Sequence, residues 1–170
     1  MELHWAPFDS VGLQRIVQLV NKTNQFNLTT RRYTEAAVQT IMNTPGALTL
    51  QLRLTDQFGD NGIIGIVIGK PQADEMYLDT WLMSCRVLGR QVEEATMNLV
   101  AQRALELGAK RLIGEYLPTK KNGMVRDHYR KLGFASVELA DSGASRWQKV
   151  LVEYQPFPTF IKTLRSGSGG

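Results

Sequence analysis

Three strand-like patterns follow one another between positions 48 and 85, and together they require the chain to build a sheet. Leu48, Leu50, Leu52 and Leu54 alternate with more polar residues, which is the period of a half-buried strand. Residues 63–68 form a continuous apolar run rich in β-branched side chains, and residues 76–85 form a third apolar stretch. Glycine-rich and polar turns at 59–62 and 72–75 separate the three patterns. This part of the chain therefore predicts an antiparallel meander.

Helical patterns lie on both sides of the meander. Asp9 or Ser10 can cap a first helix that extends to about Val20, and Thr34 can start a second helix that Pro45 stops. The rest of the chain predicts helices at 89–107 and 124–132 and strands at 111–116 and 146–152. This order predicts an α/β fold of the α+β type, in which a mixed central β-sheet is flanked by helices. We expect residues 1–165 to form one domain and 166–170 to be a flexible Ser/Gly tail.

Composition and charge exclude several classes of protein. No stretch reaches the roughly 20 apolar residues that a membrane helix needs, and the N-terminus lacks the pattern of a signal peptide, so we expect a cytoplasmic chain without a membrane partner. Cys85 is the only cysteine and there are two histidines, which predicts neither a disulfide nor a metal site. The net charge is +4, and basic residues crowd positions 120–131. An anionic partner is plausible, but no basic helix indicates nucleic acid.

The turn between the third strand pattern and the long helix has the features of an anion site. A helix N-terminus exposes unpaired N–H groups that can bind a pyrophosphate. Gly89 lets the backbone approach a ligand, and Arg86 and Arg90 can add charged contacts. Glycine turns of this kind are common and most bind nothing, so a purely structural turn is an equal alternative. The candidate cofactor-binding residues are Arg86, Val87, Leu88, Gly89, Arg90 and Gln91.

A second segment, at 122–134, has a loop asparagine followed by a short helix with a tyrosine and a Gly-Phe end: Asn122, Tyr129, Gly133 and Phe134. With Arg86 and Gly89, this order resembles the GNAT acyltransferase superfamily. Those enzymes carry an Arg/Gln-x-x-Gly-x-Gly/Ala loop for the coenzyme A pyrophosphate, then an Asn and a helix ending in Tyr-x-x-x-Gly-Phe. The resemblance implies that Asn122 also belongs to the cofactor site. Gln91 departs from the pattern, because it replaces the last small residue of the loop.

Three segments, at 21–34, 81–90 and 121–127, look more specifically like the C-terminal region of FkbH-like proteins. In that family a HAD-type phosphatase domain normally precedes a GNAT-like domain. The resemblance implies transfer of a glyceryl unit, from a bisphosphorylated glycerate, to the phosphopantetheine thiol of an acyl carrier protein in polyketide and related pathways. This chain contains no Asp-x-Asp phosphatase motif, so we do not expect it to remove a phosphate.

Two residues are the candidates for chemistry. Cys85 lies beside the predicted anion loop, where the helix N-terminus and Arg86 would favour the thiolate. Such a thiolate could accept an acyl group and pass it to a pantetheine thiol, although a lone cysteine is often only a small packing residue. Tyr129 could protonate a departing thiolate, as the equivalent tyrosine does in many GNAT enzymes, or could simply pack on the sheet. His128, its neighbour, is expected at the surface.

Other polar residues are candidates for binding. Asn122 could contact the pantetheine arm or cap the next helix. Asp79 and Glu115 could act as bases or be solvated strand residues. The amide- and hydroxyl-rich segment 21–32 could hold a polyol such as glycerate, or be a capped loop between helices. Its candidate substrate-binding residues are Asn24, Asn27, Thr29 and Arg31.

Three functions are therefore open. The first is acyl transfer to an acyl carrier protein thiol, through Cys85. The second is an acetyl-CoA-dependent N-acetyltransferase, which needs only the loop and Tyr129. The third is a non-catalytic docking module, in which Lys120, Lys121 and Arg130 recruit an acidic carrier protein.

Overall fold

The computed structural model describes residues 1–166, and residues 167–170 of the predicted tail lie outside the described part. Within it the chain forms one mixed sheet of eight strands in the order β6-β7-β5-β4-β3-β2-β1-β8. The strands are β1 Glu2–Ala6, β2 Leu48–Asp56, β3 Gly59–Gln72, β4 Glu75–Met83, β5 Arg111–Tyr116, β6 Ala135–Leu139, β7 Ser145–Val150 and β8 Lys162–Arg165. The helices are α1 Leu13–Lys22, α2 Glu35–Met42, α3 Val92–Glu106 and α4 His128–Lys131.

The pairing of the strands confirms the predicted fold class. Strands β1 to β4 pair antiparallel in the order β1-β2-β3-β4, as the meander predicts. Strand β5 is parallel to β4, and α3 connects the two. Strands β7 and β6 then continue antiparallel, while β8 returns to lie parallel to β1. The sheet is therefore mixed, and its one central parallel pair is β4–β5.

The helices cover both faces of the sheet. On one face, α1 buries Leu13, Ile16, Leu19 and Val20, whose spacing is that of one helix face, against Ile66 of β3. The backbone N–H of Ala37 donates to Thr34 Oγ1 at 3.1 Å, so Thr34 caps α2 as the sequence predicts. On the other face, α3 and α4 pack into a larger core.

Several predicted boundaries are wrong. Residues 59–62 belong to β3, and the hairpin turns at residues 57–58, where Phe58 N donates to Asp56 Oδ1 at 2.8 Å. Helix α3 begins at Val92 rather than Gly89, and Asp9 accepts from Gly12 N before α1 instead of capping the helix itself. The predicted helix at 124–132 is split into a 3-10 turn, Gly123–Val125, and the short α4.

The sequence patterns missed strands β1, β6 and β8. All five residues of β6 are exposed, so the strand has no buried face and no alternating pattern to reveal it. Strand β8 is only four residues long and lies at a sheet edge. Across residues 1–166, no helix has both the length and the apolar character needed to cross a bilayer.

Candidate functional site

Strands β4 and β5 diverge, and a piece of the α1–α2 connection fills the gap between them. The two strands are paired only from Glu75↔Arg111 to Leu78↔Gly114. Beyond that point residues 26–28, here called the inserted segment, supply the missing backbone partners. Met83 N donates to Phe26 O at 3.0 Å, Leu28 N to Trp81 O at 3.1 Å, and Leu117 N to Leu28 O at 2.9 Å. The inserted segment therefore acts as a short extra strand in the central gap.

The side chain of Asn122 holds the inserted segment in place. It is fully buried, and its Nδ2 donates to Asn27 O at 3.0 Å and to Leu117 O at 2.9 Å. Its Oδ1 accepts from Thr119 N at 2.8 Å and from the Tyr116 hydroxyl at 3.3 Å. Asn122 occupies the N-cap position of the following 3-10 turn, but its side chain makes no capping hydrogen bond there, so the predicted side-chain cap is wrong. Its amide is used by the protein itself, which leaves no donor or acceptor facing a cofactor.

The predicted anion loop is held by contacts within the chain. Arg86 donates to Ser84 Oγ at 3.3 Å and to Asn61 O at 3.3 Å, and Arg90 lies 3.4 Å from Asp56 Oδ2. Val87 is buried, and Leu88 packs against the core. Gly89 has a φ of 78°, a conformation that suits glycine. Gln91 also adopts a left-handed conformation, with φ 66°, and its Oε1 accepts from Phe160 N at 2.9 Å.

The N-terminus of α3 carries its own anions. Glu93 and Glu94 stand in its first turn, and Gly89 N donates to Glu93 Oε1 at 3.4 Å. A pyrophosphate at this helix end would lie near two carboxylates as well as the two loop arginines, which are exposed and make only surface contacts of 3.3–3.4 Å within the chain. The inserted segment also covers the β4 edge that the amides of a pantetheine arm could pair with. In this arrangement the β4 edge is therefore not free for a pantetheine arm, and the cofactor role of the loop stays a prediction.

Cys85 lies instead at an open groove, here called the Cys85 groove. Its thiol is exposed, and its Sγ donates to Gln25 Oε1 at 3.2 Å. The groove has a volume of about 520 Å³. It is lined by Leu19, Lys22, Thr23, Asn24, Gln25, Met83, Ser84, Cys85 and Lys121. The structure thus brings Cys85 and the predicted substrate residue Asn24 together with two lysines.

Tyr129 lies in an aromatic cluster under the inserted segment. It is 1% exposed, its ring centroid is 6.1 Å from that of Trp81, and its hydroxyl has no hydrogen-bond partner among the described residues. Burial, followed by the nearby Glu115 carboxylate, raises the pKa of the Tyr129 phenol above its ordinary value. A buried phenol of this kind is a poor proton donor to a group that approaches from solvent.

His128 is not at the surface, which corrects the sequence-based expectation. Its ring packs edge-on against Trp81, with centroids 4.4 Å apart, and against Phe26 at 5.2 Å. Burial, with a smaller contribution from Lys131, lowers the pKa of His128 to about 3, so the ring is neutral at physiological pH. In α4, which has only one turn, the residue next to the tyrosine also faces the core.

The remaining predicted residues meet at the other end of the inserted segment. Arg31 bridges the two carboxylates that the sequence suggested as bases, with its Nη1 3.1 Å from Asp79 Oδ1 and its Nη2 in contact with Glu115. Lys70 Nζ lies 3.4 Å from Asp79 Oδ1, and the Tyr33 hydroxyl donates a hydrogen bond to the other carboxylate oxygen, Asp79 Oδ2. Burial and this hydrogen bond raise the pKa of Tyr33. We call this group the Asp79 cluster.

The predicted substrate residues are therefore not all in one site. Asn24 lines the Cys85 groove, and Arg31 belongs to the Asp79 cluster. Thr29 donates its hydroxyl to Asp79 O at 2.8 Å, and Asn27 is fully buried in the inserted segment. Sequence reasoning missed Phe26 and Leu28, although their alternation around Asn27 is the pattern of a short strand.

Comparisons with solved structures agree on the architecture. The GNAT domain of S. lividans PAT superposes with a TM-score of 0.66 at 18% identity, covering 86% of this chain and 89% of that one. A GNAT superfamily phosphinothricin acetyltransferase from Sinorhizobium meliloti, in complex with AcCoA, gives 0.67 at 15% identity, over 92% and 94%. The ribosomal-protein-S18-alanine N-acetyltransferase from Escherichia coli gives 0.64 at 14%, over 93% and 99%.

No family model matches the chain, and no curated protein matches it in sequence. The likeness thus lies in the mixed sheet, its central parallel pair and the helices on both faces. The chain has the GNAT fold.

Proposed function

We propose that this chain is an acyltransferase domain that passes an acyl group, glyceryl in the preferred case, through Cys85 to the phosphopantetheine thiol of an acyl carrier protein. The observation that carries the proposal is the exposed Cys85 thiol in an open groove of about 520 Å³. The alternative catalytic group, the hydroxyl of Tyr129, is buried, and the central gap is filled by the inserted segment.

The transfer consists of two exchanges at one carbonyl. The Cys85 thiolate attacks the carbonyl of an acyl phosphate, the carbon–oxygen bond to phosphate breaks, and inorganic phosphate leaves. The thiolate of the carrier then attacks the Cys85 thioester, and the carbon–sulfur bond to Cys85 breaks. Cys85 leaves as a thiolate, and the proton that the carrier thiol gives up passes through water to the phosphate released in the first exchange. The second exchange replaces one thioester by another and is nearly neutral in energy, which suits a relay.

The walls of the Cys85 groove suit such a substrate. Asn24, Thr23 and Gln25 offer amides and hydroxyls for a polyol, and Gln25 Oε1 already orients the thiol. Lys22 and Lys121 flank the groove and can attract the phosphate of a donor or the acidic surface of a carrier protein. A HAD-type phosphatase, as in FkbH-like proteins, would supply the dephosphorylation that this chain does not provide.

The test is acyl loading followed by intact-protein mass spectrometry. The chain is incubated with a bisphosphorylated glycerate, a separately supplied HAD-type phosphatase and a phosphopantetheinylated carrier protein. We expect a glyceryl adduct on Cys85, and then on the carrier. Cys85→Ala should abolish both adducts. Lys121→Ala should leave the Cys85 adduct and slow loading of the carrier. Loading of the carrier by Cys85→Ala at the wild-type rate would show that the relay does not exist.

An acetyl-CoA-dependent N-acetyltransferase is the second candidate, because the Sinorhizobium meliloti structure with AcCoA has the same fold. The glutamates at the α3 N-terminus and the filled gap oppose it. Calorimetric binding of acetyl-CoA, together with turnover on amines, would establish this function in place of the relay. Carrier binding that weakens with salt but does not change in Cys85→Ala, without any acyl transfer, would indicate a docking module.

A further inference from the structure

One lysine of this chain differs from all the others in its surroundings. Seven of the eight lysines are exposed, whereas Lys149 of β7 is half-buried. Its Nζ lies between the end of α4 and the segment that follows β7. The surrounding residues, here called the Lys149 cage, are Leu132, Gly133, Tyr154 and Phe157. Neither the Cys85 groove nor the Asp79 cluster includes this place.

The Lys149 cage does not satisfy a charged ammonium group. An ammonium has three N–H donors. Within residues 1–166 the Nζ of Lys149 has one hydrogen-bond acceptor, Leu132 O at 3.2 Å, and no carboxylate partner. The rings of Tyr154 and Phe157 attract a cation, but their centroids are 5.6 and 5.7 Å away, close to the limit of about 6 Å for such contacts. Burial outweighs them and lowers the pKa of Lys149 below its ordinary value.

The titratable side chain of the cage, Tyr154, does not supply a negative charge near neutral pH. Its hydroxyl donates to Asn98 Oδ1, and burial raises the pKa of Tyr154 to about 12. The phenol is therefore neutral and forms no ion pair with the ammonium. A larger share of Lys149 is thus in the neutral, nucleophilic form than is the case for an exposed lysine.

The amine is still within reach of a small reagent. Lys149 is half-buried rather than buried, and it lies beside Gly133, which is exposed. A Cβ added at Gly133 would stand 2.7 Å from the Nζ of Lys149, so any other residue at that position would crowd the amine. The missing side chain leaves an approach that suits a small molecule.

We propose that Lys149 is a modification site that accepts acyl groups directly from small acyl phosphates. The neutral Nζ attacks the carbonyl carbon, a carbon–nitrogen bond forms, and the carbon–oxygen bond to phosphate breaks. The phosphate leaves and takes up the proton that the amine gives up. The product is a neutral amide, so both cation–π contacts with the segment after β7 are lost. This reaction goes beyond the acyl relay and does not depend on it.

The test is incubation of the intact chain with acetyl phosphate, followed by peptide mass spectrometry that measures the acetylation rate of each lysine. At about pH 7.5 we expect Lys149 to react at least about threefold faster than the mean of the seven exposed lysines, because more of it is neutral. Lys162, which is exposed in β8, is the internal reference. A rate for Lys149 at or below that of the exposed lysines would overturn the proposal.

Matched variants separate a reactive amine from one that is only accessible. Phe157→Ala opens the cage to water, so it should slow the acetylation of Lys149 towards the rate of the exposed lysines, whereas a lysine limited by access would react faster. Phe160→Ala removes a 93% exposed ring from the same segment and should change nothing. Thermal unfolding verifies that each variant is folded, and Tyr154→Leu replaces Phe157→Ala if that variant is not. Faster or unchanged acetylation of Lys149 in the folded cage variants would sink the proposal.

A further variant separates this site from the relay. Cys85→Ala should acetylate Lys149 at the wild-type rate, because the amine takes the acyl group directly from the acyl phosphate. Loss of Lys149 acetylation in Cys85→Ala would show that the group arrives through the thiol, and the direct reaction would be wrong. If Lys149 is acetylated while Cys85 never becomes acylated, the relay fails and this site stands.

Discussion

The side-chain amide of Asn122 donates a 3.0 Å hydrogen bond to the backbone oxygen of Asn27, and so ties the loop after β5 to the segment between α1 and α2. This contact holds in place the inserted segment, whose backbone fills the gap between the diverging strands β4 and β5. The asparagine that resembles part of a cofactor motif is thus a structural clamp in this chain. The filled gap is also one reason why we propose the thiol chemistry at the Cys85 groove, beyond the end of the gap.

Replacing Asn122 by alanine should destabilise the fold strongly. The substitution leaves the buried partners of the amide, including Asn27 O and Leu117 O, without their hydrogen bonds. We expect a loss of about 2–4 kcal/mol in the free energy of unfolding, measured by urea denaturation. Asn24→Ala, at the rim of the Cys85 groove, should cost less than about 1 kcal/mol. Equal losses for the two variants would show that the Asn122 amide does not hold the inserted segment in place.

Gly114 is required because the ring of Tyr129 lies directly against the backbone of β5. A Cβ added at Gly114 would stand 2.6 Å from the Tyr129 ring. Gly114→Ala should therefore destabilise the protein by about 1–3 kcal/mol through overpacking. At Gly123 an added Cβ meets nothing within 4 Å, so Gly123→Ala is the matched control and should change stability little. Thermal or urea unfolding of both variants measures the difference.

Removing the hydroxyl of Tyr129 should separate its structural role from a catalytic one. The hydroxyl has no partner among the described residues, so Tyr129→Phe should leave the free energy of unfolding unchanged or slightly raised. Acyl loading of Cys85 should also persist at the wild-type rate. A folded Tyr129→Phe protein that no longer transfers the acyl group would show that the phenol acts as the acid after all.

Burial of His128 should make stability depend on pH. Because the folded protein lowers the pKa of His128 to about 3, the unfolded chain, with an ordinary value near 6.5, binds more protons between these limits. Stability should therefore be complete above pH 6.5 and fall as the pH drops towards 3, by up to about 1.4 kcal/mol per pH unit from this residue.

The pH effect can be measured as a difference between variants. His128→Phe should flatten the dependence of unfolding free energy on pH between 5 and 6.5, where most carboxylates do not yet titrate. A wild-type slope in His128→Phe would mean that the histidine is not buried in its neutral form.

Much of the architecture was determined by local patterns in the sequence. The alternating leucines at 48–54, the apolar run at 63–68 and the stretch at 111–116 predicted β2, β3 and β5, because a strand with a buried face leaves a period or an apolar run in the chain. Thr34 predicted the start of α2, because its hydroxyl accepts a hydrogen bond from the backbone N–H of Ala37, only three residues further along the chain. The mixed sheet followed from the order of these elements.

The site was decided by tertiary structure. Three features of the site depend on residues far away in the chain. They are the contact of Arg86 with Asn61, the cleft beside the glutamates of α3, and the burial of His128 against Trp81. Nothing near Phe26 and Leu28 in the sequence shows that they complete a sheet between β4 and β5. A short segment reaches that position only because two strands diverge there and offer unpaired backbone groups, and such groups must find partners when they are buried.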